Sequence, residues 1–316
     1  MRTEVNVVIQ ILILALGFFF LVKGADWFVE GSSKVAEKFG IPQLVIGLTI
    51  VAMGTSLPEA AVSISAALKG SAEISIGNIV GSNILNILLI LGLTALICPV
   101  AVQESTVKYE IPYVIFVSIV LMGIGYTDHL VSRTDGLILW VLMICYLLYL
   151  RKMAKSGADV LEEIPGEGVD MPVWKMLLLI VLGGALIVVG SDLAVDSASE
   201  LARIFGMSER LIGLTIVAFG TSLPELVTSI TAAVKGKADI AVGNIVGSNI
   251  FNILFVIGTS SLITPIVYAE SFFVDSIVCI AVAVLLWLCV VKNKRLGRVG
   301  GAILLAGEIA YFIYLI

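Results

Sequence analysis

Long apolar runs separated by short polar gaps dominate this sequence. The runs are about 17 residues or longer, enough for a helix to cross a bilayer. They are continuous rather than alternating, which argues against the strands of a membrane barrel. We therefore predict ten transmembrane helices, with approximate bounds 5–22, 44–68, 73–97, 109–126, 135–151, 172–191, 211–234, 239–264, 272–291 and 299–316.

Composition supports a membrane protein and excludes several other classes. Of the 316 residues 59% are hydrophobic and 14% charged, too few charges to cover the surface of a soluble domain. The predicted fold is an all-α polytopic membrane protein whose main partner is the lipid bilayer. Lys and Arg form no cluster suited to nucleic acid, and the four cysteines lack CxxC spacing. We expect no nucleic acid, no protein partner and no cofactor.

The second half of the chain repeats the first at an offset of 166 residues. Residues 45–92 align without a gap on 211–258, and 33 of these 48 positions are identical. Each copy holds five predicted spans, and an odd number makes consecutive copies enter the membrane from opposite sides. We therefore predict two inverted five-helix repeats, 1–151 and 172–316, joined by an acidic cytoplasmic linker, 152–171.

The distribution of basic residues predicts the orientation. One side of the predicted topology carries thirteen Lys and Arg residues and the other carries five. Cytoplasmic loops are the ones enriched in these residues, so the first side is expected to face the cytoplasm. The prediction is a multi-pass protein of the cell (inner or plasma) membrane with both termini outside the cytoplasm.

The hexapeptide Gly-Thr-Ser-Leu-Pro-Glu occurs twice, at 54–59 and 220–225, each time inside an apolar span. Gly54 and Pro58 are expected to break the helix between them and to free backbone carbonyls near Ala52. Pro58 suits the first turn of a renewed helix, where the helix dipole would favour the carboxylate of Glu59. A charged residue in mid-membrane usually marks a transport pathway or a functional site.

The third span adds amides and a hydroxyl on one helix face. Asn78, Ser82 and Asn86 recur every four residues, while Gly77 and Gly81 form a GxxxG pair that allows another helix to approach closely. The second repeat has the same residue types at the equivalent places, namely Gly243, Asn244, Gly247, Ser248, Asn249 and Asn252.

These polar residues suggest a cation site made wholly of oxygen. Under inverted symmetry the two hexapeptides meet near the middle of the membrane, and Glu59 and Glu225 would balance one divalent ion. Calcium prefers six to eight oxygen ligands in a flexible cage, and sodium can use the same oxygens. Zinc would be expected to recruit Cys or His.

At these motifs the sequence resembles the sodium/calcium exchanger family in its short prokaryotic form. The resemblance rests on both hexapeptides and both Gly-Asn-Ile-Val-Gly-Ser-Asn segments. It implies antiport of calcium against sodium by alternating access at a central site, over which the first and sixth spans slide. The ligands it implies are Glu59, Glu225, Thr55, Thr221, Ser56, Ser222, Ser82, Ser248, Asn86, Asn252 and the carbonyls of Ala52 and Ala218.

Asn252 is a departure that leaves alternatives open. Some family members have aspartate at that position, whereas here both asparagine positions, Asn86 and Asn252, are neutral. Two nearby carboxylates also favour retaining one proton, so exchange of calcium against protons, or with potassium involved, remains an alternative. A passive cation channel is a further interpretation. An intramembrane enzyme using both glutamates as acid and base is disfavoured, because the sequence has no nucleophile–base pair or cofactor motif.

Overall fold

The computed structural model describes residues 2–162, 171–207 and 218–315, and this part of the chain is almost entirely helical. The first half begins with α1 (Arg2–Phe39). The second span comprises α2 (Gln43–Ile46), π1 (Gly47–Val51), α3 (Ala52–Thr55) and α4 (Leu57–Leu68). The third comprises α5 (Glu73–Leu85), π2 (Asn86–Leu91) and α6 (Gly92–Ile97). Then follow β1 (Val100–Ala101), π3 (Thr106–Glu110), α7 (Ile111–Asp128), β2 (Leu130–Val131) and α8 (Arg133–Glu162).

The second half repeats this order. It begins with α9 (Val173–Ile204), and its broken span is described from α10 (Ala218–Gly220) into α11 (Leu223–Val234). The next span comprises α12 (Ala238–Phe251), π4 (Asn252–Ile257) and α13 (Gly258–Ile263). Then follow β3 (Ile266–Val267), α14 (Ser271–Val290), β4 (Arg295–Leu296) and α15 (Arg298–Leu315).

The described helices confirm a polytopic membrane fold. Eight are long and apolar enough to cross a bilayer, and the bent pair Gln43–Thr55 and Leu57–Leu68 makes a ninth span. Leu223–Val234 belongs to the predicted span 211–234, of which residues 211–217 lie outside the described residues. The structure is thus consistent with the predicted count of ten.

The first and sixth spans are longer than predicted. We expected helices over 5–22 and 172–191, but α1 has 38 residues and α9 has 32. At 1.5 Å per residue they measure about 57 and 48 Å, against about 30 Å for the hydrocarbon core. Charged residues such as Asp26 and Glu30 therefore continue the helix beyond the apolar run rather than ending it.

The linker prediction is only partly covered by the structure. Helix α8 continues to Glu162, so residues 152–162 extend the fifth span, and the rest of the predicted linker up to residue 170 lies outside the described residues. The proposed division into units 1–151 and 172–316 stays a prediction.

Helices α1 and α9 pack along each other through glycines. A methyl group added at Gly24 would lie 2.7 Å from the carbonyl oxygen of Gly183, and one at Gly190 would lie 2.7 Å from the backbone nitrogen of Leu21. Gly17 and Gly31 make similar contacts one heptad before and after Gly24. Small residues at this spacing bring the two backbones together, which is how helices associate in lipid.

Two short ribbons that the sequence did not indicate join the repeats. Strand β1 pairs antiparallel with β4, and β2 pairs antiparallel with β3, so each ribbon takes one strand from each repeat. Leu130 pairs with Val267 and Val100 with Leu296. The two halves are therefore hydrogen-bonded to each other at both ribbons.

The π-helical segment π3 explains a one-residue change in the repeat offset. Strands β1 and β3 begin 166 positions apart, at Val100 and Ile266, whereas β2 and β4 begin 165 apart, at Leu130 and Arg295. A π-turn accommodates one more residue than an α-turn. Segment π3, Thr106–Glu110, lies between those strands, and the second repeat has ordinary α-helix at the equivalent place.

Candidate metal-ion site

The first hexapeptide breaks its span as predicted. Helix α3 ends at Thr55 and α4 begins at Leu57, with a bend of 50° between the two segments. Pro58 lies in the first turn of α4, together with Glu59. Ser56 occupies the capping position but makes no side-chain capping bond. Its hydroxyl instead donates a 2.8 Å hydrogen bond to Oε1 of Glu225, in the opposite repeat.

The second hexapeptide makes the equivalent serine–glutamate contact with the first. Ser222 precedes α11 without capping it, and its hydroxyl donates a 3.1 Å hydrogen bond to Oε1 of Glu59. Both glutamates are fully buried. No ion pair joins either of them to a basic side chain among the residues that the structure describes. Each keeps its second oxygen, Oε2, buried without a hydrogen-bond partner.

Asn86 and Asn252 present amide oxygens in the same way. They are the first residues of π2 and π4 and are fully buried. Their Nδ2 groups donate across the repeat boundary, from Asn86 to Oδ1 of Asn249 and from Asn252 to Oδ1 of Asn83, each at 3.0 Å. Because the NH₂ group of each amide is held in this way, its Oδ1 is turned elsewhere and lacks a partner.

Asn83 and Asn249 were not among the predicted ligands, yet they organise the network. Each donates its side-chain amide to the other's backbone carbonyl at 3.1 Å while accepting from Asn252 or Asn86. The repeated Gly-Ser-Asn sequence could have indicated that Asn83 and Asn249 matter, but the four-residue spacing selects Asn78 and Asn86 instead. The contacts of Asn83 and Asn249 across the repeat boundary depend on how the two repeats pack together, and the spacing of residues along one helix does not show this.

Asn78 and Asn244 fix the helix that carries each glutamate. Asn78 donates to the carbonyl of Glu59 at 3.3 Å and to the hydroxyl of Ser63 at 2.9 Å. Asn244 repeats this with the carbonyl of Glu225 at 3.4 Å and with Ser229 at 2.9 Å. The Nδ2 groups of these amides therefore orient the turns that carry the glutamates.

The hydroxyls of Thr55 and Ser248 lie beside the same network. The Thr55 hydroxyl is 2.9 Å from Oδ1 of Asn244, and that of Ser248 donates to the carbonyl of Ala52 at 3.4 Å. This carbonyl also accepts the backbone N–H of Ser56 at 3.1 Å. The expectation of a freed carbonyl at Ala52 was therefore wrong, because the helix continues through Thr55 before it breaks.

Three further predicted ligands complete the set. Ser82 is buried and lines a cavity described below. Thr221 lies between α10 and α11, immediately before Ser222. Ala218 begins α10 and follows the residues 208–217 that lie outside the described part of the chain.

Glycines allow other helices to contact the two breaks closely. A methyl group at Gly54 would lie 2.8 Å from the ring of Phe28 on α1, and one at Gly220 would overlap Val195 on α9. One at Gly247 would lie 2.8 Å from the backbone of Leu48. The close approach predicted for the GxxxG pair thus holds in the second repeat. The segment equivalent to Leu48 in the other repeat falls within residues 208–217, outside the described ones.

Together these residues provide a compact set of oxygen donors for a cation. Two carboxylate oxygens and two amide oxygens are buried without partners, and an unpartnered buried polar atom requires an explanation. Among the residues described, no three His, Cys, Asp or Glu side chains come together. A cation would therefore depend on two carboxylates and neutral oxygens, a hard donor set that suits calcium and sodium.

A cavity of about 740 Å³ reaches this network from one side. It is lined by Asn78 and Ser82 of the first repeat and by Asp275 and Glu308 of α14 and α15. Gly77 is exposed and Asn78 half-buried, whereas their counterparts Gly243 and Asn244 are buried. Gly77 and Asn78 are therefore more accessible than their counterparts in the second repeat.

Comparison with known proteins decides the family. The sequence profile described as "Sodium/calcium exchanger protein" matches residues 9–152 and 175–316. The chain belongs to the sodium/calcium exchanger family. The exchanger MaX1 of Methanosarcina acetivorans is 33% identical, with 98% of this chain and 99% of MaX1 covered. The inner membrane protein YrbG of Escherichia coli is 40% identical, with 96% and 95% covered.

Solved structures of the exchanger NCX_Mj share the fold. One superposes with a TM-score of 0.83 and 34% identity, covering 98% of this chain and all of that one. Another reaches 0.84 with 36% identity over 98% and 100%. The chain is therefore a cation antiporter with a two-repeat membrane fold, in a family of transporters rather than enzymes.

The amide network leads to a prediction about Asn249. Replacing it with alanine removes the acceptor that holds Nδ2 of Asn86 and is expected to weaken calcium binding about tenfold, through loss of one or two buried hydrogen bonds. Isothermal titration of the purified protein measures this. Asn293→Ala, in an exposed turn outside the network, is the control and is expected to bind as the parent does. Equal affinities in all three proteins would contradict the positioning role.

Proposed function

We propose that this protein exchanges calcium for sodium across the membrane and that both ions compete for the site formed by Glu59, Glu225, Asn86 and Asn252. The observation that carries the proposal is the set of four buried oxygens without partners, two from each repeat. The two carboxylate charges balance one calcium ion, or are shared by sodium ions when calcium leaves. MaX1 and NCX_Mj are named as sodium/calcium exchangers, which supports the same pair of ions here.

Alternating access is the transport mechanism that we infer. Two inverted repeats can exchange conformations, so that the face open in one repeat closes as its counterpart opens. Gly77 is exposed and Asn78 half-buried, whereas Gly243 and Asn244 are buried, which is the inequality expected of one such state. The closely packed pair α1 and α9 contacts both hexapeptides, through Phe28 and Val195, and is suited to moving as a unit over them.

Orientation follows from charge. Lys235 and Lys237, predicted on the cytoplasmic side, lie 2.5 and 3.1 Å from Asp26 and Glu37 in the second half of α1. This supports the grouping of basic residues at one end of the molecule. We infer that this end faces the cytoplasm of the cell membrane and that the cavity beside Ser82 opens to the outside.

Calcium/proton exchange is the second candidate. The site has only two acids, because Asn86 and Asn252 are neutral. In the described part of the chain neither glutamate has a basic partner, which favours a proton on one of them. A proton could then replace sodium as the counter-ion on one carboxylate.

Uptake of calcium into proteoliposomes distinguishes the candidates. Vesicles loaded with sodium, potassium or protons are diluted into medium lacking that ion, one gradient at a time. Uptake driven by sodium alone is expected. Uptake driven by protons with none from sodium would replace the proposal by calcium/proton exchange, and uptake without any counter-ion gradient would indicate a channel.

Changing Asn252 to aspartate tests its place at the site. A third negative charge is expected to tighten calcium binding about tenfold or more, because a charged ligand binds a hard cation more strongly than an amide does. It is also expected to change the sodium dependence of uptake. Asn293→Asp, exposed in a turn, is the charge-matched control. Unchanged affinity and sodium dependence in Asn252→Asp would remove this residue from the proposed ligands.

A further inference from the structure

A second cavity, of about 400 Å³, lies between π3, α7 and α8, on residues that the transport site does not use. Its lining combines one carboxylate, Glu110, with aromatic side chains and Lys108. Glu110 is 1% exposed, and Tyr149 donates a hydrogen bond to its Oε1. Its Oε2 is buried and unpartnered.

The aromatic rings form a continuous wall around this carboxylate. Tyr113 stacks on Tyr146 with ring centres 5.6 Å apart, and Tyr146 stacks on Tyr149 at 6.5 Å. Tyr109 lies against Tyr149 at 6.3 Å. Tyr146 is 5% exposed, and its hydroxyl is also buried without a partner. Both residues line the cavity, and a buried polar atom without a hydrogen-bond partner requires an explanation.

The mouth of the cavity lies at the start of the predicted fourth span, where lipid headgroups are expected. Lys108 and Tyr109 are exposed at the start of the fourth span, and Phe116, two turns further along, is exposed on the apolar surface. Lys108 and Lys294 both contact Glu104 in the loop before π3 and hold the pKa of this carboxyl at about 2. Lys108 itself lines the cavity, so its ammonium group is the positive group available to a phosphate at the mouth.

We propose that this cavity binds the headgroup of a zwitterionic phospholipid, with its ammonium group between the tyrosines and Glu110 and its phosphate beside Lys108. Aromatic rings around a carboxylate are suited to an organic ammonium group through cation–π attraction and charge. The exposed Phe116 continues the cavity onto the lipid-facing surface, where the acyl chains would lie.

The second repeat provides an internal comparison. At the offset of 165, Asp275 takes the place of Glu110, and Tyr311 and Tyr314 take the places of Tyr146 and Tyr149. Tyr311 donates to Asp275 at 3.0 Å. It is the counterpart of Tyr146 rather than of Tyr149, so both repeats have an acid–tyrosine bond but through different tyrosines. Tyr109 and Tyr113, however, become Val274 and Val278, and Lys108 becomes Phe273. The aromatic wall and the basic mouth thus belong to the first repeat.

Binding to delipidated protein in detergent tests the proposal. Native mass spectrometry is performed with phosphatidylethanolamine and with phosphatidylglycerol of the same chains, which lacks the ammonium group. Phosphatidylethanolamine is expected to bind at least about tenfold more tightly and to raise the melting temperature. Glu110→Gln and Tyr113→Leu are each expected to lower that preference about tenfold, whereas Asp275→Asn keeps it.

Three outcomes would overturn the proposal. Equal binding of both lipids would exclude recognition of the ammonium group. An unchanged preference in both Glu110→Gln and Tyr113→Leu would place the lipid elsewhere. Free ethanolamine that raises the melting temperature as much as the lipid does would indicate a soluble ligand instead. Tyr113→Leu leaves the bond between Tyr149 and Glu110 intact, so it separates loss of binding from misfolding of Glu110→Gln.

Discussion

Replacing Glu59 with glutamine is expected to abolish sodium-driven calcium uptake into proteoliposomes. The substitution keeps the side-chain shape and removes one of the two charges that balance calcium, in a fully buried position. Loss of one charged partner in a buried site costs about 3–5 kcal/mol, which corresponds to at least a hundredfold in calcium affinity. Glu225→Gln is expected to behave in the same way, because Ser56 and Ser222 place the two carboxylates equivalently.

Glu270→Gln is the matched control for this experiment. Glu270 is exposed in the loop before α14 and is expected to support uptake at the rate of the parent. Retained flux in Glu59→Gln or Glu225→Gln would exclude the proposed site. Loss of flux in all three variants, with intact folding, would show that the assay responds to acid removal in general.

Replacing Gly24 with valine is expected to have the second large effect, on the stability of the protein. A β-carbon at this position would lie 2.7 Å from the carbonyl oxygen of Gly183, and backbone cannot move aside as a flexible side chain can. Overpacking of this kind costs about 1–3 kcal/mol or more. We expect a clearly lower melting temperature in detergent, measured by size-exclusion chromatography after heating, and little transport.

Gly123→Val provides the comparison for Gly24→Val. Gly123 is exposed on α7, and no described atom lies within 4 Å of the position its β-carbon would take. This variant is expected to melt near the parent. If Gly24→Val melts and transports as the parent does, the close packing of α1 on α9 is not what holds the pair together.

The membrane fold and the two hexapeptides could be read directly from the chain. Apolar runs predict spans because the bilayer sets their length, and Gly54 with Pro58 predicts the break that α3 and α4 show. The extension of α1 to Phe39 was missed, since a helix can continue into water once polar residues replace apolar ones. Hydropathy marks where a helix leaves the membrane, not where it ends.

The arrangement inside the site depended on contacts between repeats. The sequence places Glu59 and Glu225 at equivalent positions. It does not show that the hydroxyl of Ser56 donates a hydrogen bond to Glu225 instead of capping its own helix. The crossed amides of Asn83 and Asn249 were missed for the same reason. The π-helical turns that begin at Asn86 and Asn252 were missed because π-helix has little sequence signature, although such turns are frequent at functional sites.

Equilibrium calcium binding at increasing sodium concentration tests the central claim most directly, because it reports on the shared site without requiring transport. Isothermal titration in detergent is expected to show an apparent calcium Kd that rises steadily with sodium, and calcium binding that is lost in Glu59→Gln and Glu225→Gln. Calcium binding that stays constant as sodium increases, or that survives in both variants, would contradict a single site formed by the two repeats.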